Sequence, residues 1–256
     1  VMDLEPAPDL PPEFPPERFS YIFPVQSHRM TAVQGEWEFM ESGINEGNVG
    51  EHFIGKMTIA ADGSASVCDY NVTGNDFATC QVDTEESVTL QEHEGGFMLN
   101  YGDTSGPVFG FRAPSGDLIL FGSNNPDHLT APGSFRTSFV MSRAKATPAP
   151  VEGATSHYWD FTQSYFQASN PATSNGVLSV SRGTDSVTNT TVTETSVTRT
   201  RASDNRVDTF QLDKPISGMR FRAASPGLSA VYMRFLPGTG MSIYIDAMDR
   251  NASNQV

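Results

Sequence analysis

Cys68 and Cys80 bracket a polar stretch centred on Gly74, a spacing that suits two neighbouring strands of a β-hairpin. Upstream, Ala61-Asp62-Gly63-Ser64 supplies the Asp-Gly pair that tolerates positive φ in a two-residue hairpin loop. This register sets Ala61 against Ser64 and Met57 against Cys68, and the turn near Gly74 then brings Cys80 opposite Cys68. Opposed Cα atoms in antiparallel pairs lie about 4.5 to 5.5 Å apart, so a cross-strand disulfide is expected. Such a bond suits an oxidising, extracytoplasmic setting.

Arginine is the second group with chemical promise. Thirteen of the sixteen cationic residues are Arg, whose planar fork favours fixed bidentate contacts over the mobile charge of Lys. Arg199 and Arg201 share one strand face, and Arg220 and Arg222 share another. Alternation with Met219, Phe221 and Ala223 turns Arg220 and Arg222 away from that strand's core, predicting an outward cationic strip able to dock on an acidic surface. The first half of another copy has that charge, which makes a head-to-tail contact the expected geometry.

The remaining candidates read as ordinary structure. His28, His52, His93, His128 and His157 stand apart, with no paired metal spacing, and no Gly-x-Ser-x-Gly elbow, Walker loop or dinucleotide turn is present. Asp69, Asn71, Asn75 and Asp76, and later Asp246, Asp249 and Asn251, form oxygen-rich turns without the EF-hand pattern, and turn propensity explains them better than calcium. Glu36, Glu38 and Glu41 read as a solvated strand face rather than glycosidase acids. These readings point to a protein that is not an enzyme, with no catalytic residue, cofactor or metal site.

The elements that must position these groups are strands. Trp37 and Phe39 alternate with Glu36 and Glu38, the period of two of a half-buried strand, and Phe53, Met57 and Ile59 repeat it. About nine strand candidates run from Val33 to Arg143, including Phe97, Leu99 and Tyr101 on one face and then Phe109 and Phe111. Short sequential strands with tight turns describe an antiparallel meander, which closes into a barrel or sandwich.

The stretch 144–153 is a linker by composition, and a second unit follows. Trp159-Asp160-Phe161 echoes Trp37-Glu38-Phe39, and two later short matches in the same order suggest a tandem duplication. Ahead of both units, six prolines interleave with acids over 3–16, an extended arm for which Phe14, Phe19, Tyr21 and Phe23 are the candidate anchors. The expected organisation is an all-β protein: a proline-rich acidic arm over 1–30, then two tandem antiparallel β-barrel or sandwich domains over 31–147 and 148–256.

Charge divides along the same line. Residues 1–150 hold 21 acidic against 7 basic side chains, a net of −14, whereas 151–256 hold 9 of each. An acidic half is a poor surface for phosphate backbones, which argues against nucleic acid as a partner. No run approaches the roughly 18 apolar residues of a membrane helix.

Gly35-Glu-Trp37-Glu-Phe39, followed by Gly55-Lys-Met-Thr-Ile59 and Asp62-Gly63-Ser64, resembles the lipocalin-like β-barrel domains of bacterial surface and periplasmic lipoproteins over roughly 33–143. The resemblance implies a barrel able to hold an apolar ligand. Trp37, Phe39, Phe97, Leu99, Phe109 and Phe111 are then its candidate lining, though the same side chains make a plain core in a barrel of eight strands. The expected function is a non-enzymatic, extracytoplasmic structural or interaction subunit that docks on other protein subunits, copies of itself included. A small-ligand carrier is the alternative.

Overall fold

The computed structural model describes residues 2–3, 20–21, 26–44, 50–71, 76–84, 87–124, 136–166, 177–225, 228 and 230–247. Phe14, Phe19 and Phe23, the expected anchors of the arm, lie outside them. Strands β1 (Met2–Asp3) and β2 (Ser20–Tyr21) form a two-residue antiparallel pair, and only the backbone of Tyr21 is described. One helical turn, α1 (Met30–Val33), precedes nine strands: β3 (Gly35–Ile44), β4 (Gly50–Ile59), β5 (Ser64–Asn71), β6 (Asp76–Val82), β7 (Val88–His93), β8 (Gly96–Tyr101), β9 (Thr104–Arg112), β10 (Leu118–Asn124) and β11 (Arg136–Ser142).

Eight of these nine close on themselves in the order β4-β3-β11-β10-β9-β8-β7-β5, because β5 pairs with β4, and β6 is added outside through β5. Closure removes the exposed edges that an open sheet must protect. The interior is packed side chain on side chain: Trp37, Phe39, Phe97, Leu99, Leu120 and Met141 belong to one buried cluster. Helix α1 adds Val33 to that cluster, with Met30 and Ala32 packed against it.

Trp37 is the centre of this plug. It is fully buried, its indole Nε1 donates to the Val33 carbonyl at 2.5 Å, and the Arg143 guanidinium lies 4.2 Å above its ring. Arg143 donates to the carbonyls of Gln34 and Glu36 at 2.6 and 2.9 Å, which ties the end of β11 to the start of β3. Gly35 between them has φ +104°, and a Cβ there would meet the Arg143 guanidinium at 2.8 Å. Only glycine adopts that backbone without strain.

The expected disulfide is present, Cys68 to Cys80, with Cα atoms 5.3 Å apart. Its register differs from the expected one. Ile59 pairs with Ala65 and Lys56 with Cys68, while Cys68 pairs with Val82 and Tyr70 with Cys80. The first hairpin closes with the Ala60 amide on Ser64 and the Gly63 amide on Ala60, so the loop has three residues, with Gly63 at φ +86°. A three-residue loop ending in a left-handed glycine moves the pairing by one. Loop-closure entropy for a 12-residue separation predicts that Cys68→Ser costs roughly 3 kcal/mol without reductant, read as a fall in unfolding midpoint that reductant abolishes.

The second sheet has β12 (Thr155–Phe166), β13 (Val177–Val192), β14 (Ser196–Arg201), β15 (Val207–Leu212), β16 (Met219–Arg222), β17 (Ala230–Phe235) and β18 (Ser242–Ala247) in simple sequence order. It curls into a half-barrel without closing. One of its faces lies on the barrel wall: Met219, Phe221, Tyr232 and Ile245 share a buried cluster with Met40, Ile54, Ile119 and Val140 from the outer face of the barrel. Phe77 of β6 reaches the same contact, edge-on to Phe221 at 5.1 Å and to Tyr232 at 5.9 Å. The disulfide therefore anchors a strand that touches both sheets.

The expected duplication is not confirmed: one sheet closes into a barrel and the other stays open. Trp37 is buried at the heart of a closed barrel, whereas its echo Trp159 is 73% exposed on β12.

Candidate functional site

The six side chains expected to line a ligand cavity separate into two groups. Trp37, Phe39, Phe97 and Leu99 face the barrel interior, where they pack on one another. Phe109 and Phe111 turn outward, Phe109 being 56% exposed and Phe111 packing beneath the second sheet. The inward positions of β9 are Gly106, Val108 and Gly110. Both barrel ends are built differently. At one, His28 lies with its Nε2 3.2 Å from the Gly110 carbonyl, beside a shallow cleft of about 340 Å³ bordered by Arg29, Glu92 and His93.

Towards the other end, Asp69, Asp83 and Tyr101 come together. The Tyr101 hydroxyl donates to Asp83, and Asp69 Oδ1 is buried without a hydrogen-bond partner among the described residues. Burial, and the Asp83 charge second to it, push the Asp69 carboxyl up to about 6. The backbone makes room through Gly55, whose Cβ would lie 2.1 Å from the Cys68 carbonyl and 2.8 Å from Asp69 Oδ1.

A carboxyl raised on folding stabilises the fold while protonated. Its contribution is complete below about pH 4 and is lost as pH rises through about 6. Asp69→Asn is therefore expected to stabilise the protein by about 2 kcal/mol near neutral pH and by little near pH 4. Denaturant midpoints at the two pH values check this, and an equal effect at both would refute it.

The arginines sit on the second sheet, and their register is informative. Arg199 pairs with Asp208 and Asn189, Arg220 with Met233 and Leu212, and Arg222 with Val231. All lie on the face opposite Met219, Phe221 and Tyr232, as the alternation predicts. The expectation of an outward strip is nevertheless corrected. Because the sheet curls, this face turns inward on itself, and Arg220 and Arg222 are only 7% and 6% exposed. Val197, Phe210 and Val231 form a small buried cluster between them.

Carboxylates answer some of these cations. Asp208 Oδ1 accepts from Arg222 at 2.7 Å and from Arg206 at 3.0 Å. Arg201 makes a two-pronged contact with Asp204, at 2.9 and 2.5 Å, which raises its pKa and holds Asp204 down at about 2. Arg199 and Arg220 have no such partner among the described residues. Arg199 stacks 4.3 Å over Phe210 with Nη1 4.0 Å from Met233 Sδ, and Arg220 stacks 4.4 Å over Phe235. Burial, with the Arg199 charge second, brings Arg220 down to about 10.

Beside Arg201, a cleft of about 490 Å³ is bordered by His157, Tyr158, Trp159, Asp185 and Ser203. Among the described residues no group of three His, Cys, Asp or Glu is arranged to hold a metal ion.

One buried pair was not legible in the sequence. Arg234 of β17 crosses to the barrel wall, where Nη2 donates to Glu38 Oε2 at 2.8 Å and to Ser142 Oγ at 2.8 Å. Glu38 is thus not part of a solvated strand face, since it and Arg234 are each 2% exposed. Burial pushes the Glu38 carboxyl up against the opposing pull of Arg234.

Fold and site define an all-β protein with a filled eight-stranded barrel and an arginine-lined half-barrel. The chain matches no protein-family model, no curated protein and no solved structure.

Proposed function

We propose that this protein is a non-enzymatic, extracytoplasmic interaction subunit that assembles with copies of itself through strand β12. The observation that carries this reading is the composition of that edge. In twelve residues, Thr155–Phe166 holds five aromatic residues and a single charged one, Asp160, with no Lys and no Pro. It ends the seven-strand order of an open sheet. Natural sheets blunt exposed edges with charge, proline or short strands, and a long edge lacking these devices is a template for another strand. Trp159, 73% exposed, lies on it.

Charge supports the choice of surface. The barrel half carries the whole net charge and repels its own kind, while the second half is neutral. The disulfide supports an oxidising compartment. Among the described residues no helix is long and apolar enough to cross a membrane. The packed barrel interior gives the carrier alternative, and the ligand cavity that a lipocalin-like reading implies, no support.

The test is native mass by light scattering. The wild type is expected above its 27.8 kDa chain mass, while His157→Pro, at a position whose amide faces the free edge, and Trp159→Lys return it to the monomer. A wild type monomeric at every concentration up to about 100 μM, well above the dissociation constant expected of a stable interface, would sink the proposal.

A further inference from the structure

We propose that Arg199 and Arg220 form a binding site for a small oxyanion, a carboxylate or a phosphate- or sulfate-type group, on the inner face of the second sheet. Three observations carry it. First, among the described residues the Nε atoms of Arg199 and Arg220 are buried without a hydrogen-bond partner, as are Arg222 Nε and Arg234 Nη1. Second, each guanidinium is fixed in place by stacking on a ring, Phe210 or Phe235, so the donors are held ready. Third, Arg234 and Arg222 each have an acid, Glu38 and Asp208, whereas Arg199 and Arg220 have none among the described residues.

A buried cation without an anion is among the costliest arrangements a fold contains. Arg220, 7% exposed, is such a cation, and the half-buried Arg199 places Nη1 4.0 Å from Met233 Sδ, the cross-strand neighbour of Arg220, so the two define a place where an anion is missing. The charged and titratable groups that bear on this pair are Asp208, Asp213, Tyr158, Arg201 and Arg206. Asp208 is engaged by Arg206 and Arg222, and Asp213 accepts from the Gly218 amide at 2.8 Å. Neither bonds to Arg199 or Arg220.

The ligand is an acceptor, because guanidinium donates only and cannot lose its proton near neutral pH. It is small, because Val197, Phe210 and Val231 fill the adjoining space. This inference is independent of the β12 edge.

The experiment is thermal unfolding of the full chain in sodium phosphate, sulfate or acetate against sodium chloride at matched ionic strength. A saturable rise in midpoint is expected with at least one oxyanion at millimolar concentration, as ligand linkage requires. Phosphate or sulfate acting alone assigns a tetrahedral group, and acetate acting alone a carboxylate. The rise is expected to vanish in Arg199→Met and Arg220→Met and to persist in Arg29→Met, an exposed arginine on the barrel half. In chloride the first two variants are expected to be at least as stable as the wild type, since Arg220→Met removes an unpaired buried charge and Arg199→Met an unpaired half-buried one.

If Arg220→Met fails to fold, Arg199→Lys decides by titration calorimetry. It keeps the charge but loses the fork, and at least a tenfold loss of affinity is expected. No oxyanion effect beyond chloride, or an effect that survives Arg199→Met, would overturn the proposal.

Discussion

Arg234→Met is expected to destabilise the protein by about 3–5 kcal/mol, because it leaves Glu38 charged, buried and alone. Arg234 also donates from Nε to Ser142 Oγ at 3.0 Å, so one side chain joins β17 to β3 and β11 across a sequence separation of 196 residues. The cost belongs to the orphaned partner more than to the bond. Glu38→Leu with Arg234→Met, which removes both charges from an apolar contact between Met40, Ile119 and Met219, is therefore expected to recover most of the loss. Urea denaturation of both single variants and the double variant closes the cycle. Additive single effects, or a loss below about 1 kcal/mol for Arg234→Met, would show that the two sheets are not clamped here.

Trp37→Ala is the second large effect, also about 3–5 kcal/mol, since it opens a cavity where the barrel closes on α1. It removes the ring under Arg143 and the donor to Val33 together. Trp37→Phe keeps apolar volume but leaves the Val33 carbonyl without its donor, and about 1–2 kcal/mol is expected. Fluorescence separates the two tryptophans of the chain, because Trp37 is buried and Trp159 exposed. Trp37→Phe should lose the blue, quencher-resistant emission and keep the component that acrylamide quenches. The reverse pattern would place the wrong tryptophan in the core.

Local pattern carried much of the fold. The alternation at Trp37 and Phe39, the Asp62-Gly63 turn and the cysteine spacing each depend on neighbours within about twenty residues, and each describes the barrel correctly in kind. The one-residue register error came from a loop that uses Gly63 as a third turn residue. Phe109 is simply an exposed aromatic, and Phe111 misled for a different reason. The barrel wall is buried on both faces wherever the second sheet covers it, so large side chains on β9 do not mark the interior. Two-sided burial erases the period of two.

Curvature was equally invisible. Alternation placed Arg220 and Arg222 opposite Met219 and Phe221 correctly, but no local signal says that this face curls inward and buries them. Glu38 looked like one of several carboxylates on a wet strand because its partner lies 196 residues away. Asp69 looked like a turn residue, and although the β4–β5 hairpin sets it opposite Gly55, its burial near Asp83 and Tyr101 depends on strands farther along the chain.

Hydrogen exchange of the β12 backbone decides whether that edge is the docking surface. At high protein concentration the amides of 155–159 are expected to exchange markedly more slowly than in dilute solution, while those of β14, already paired on both sides, change little. Exchange at β12 that stays the same across concentration, in a sample whose native mass shows association, would place the contact elsewhere and contradict the edge as the docking surface.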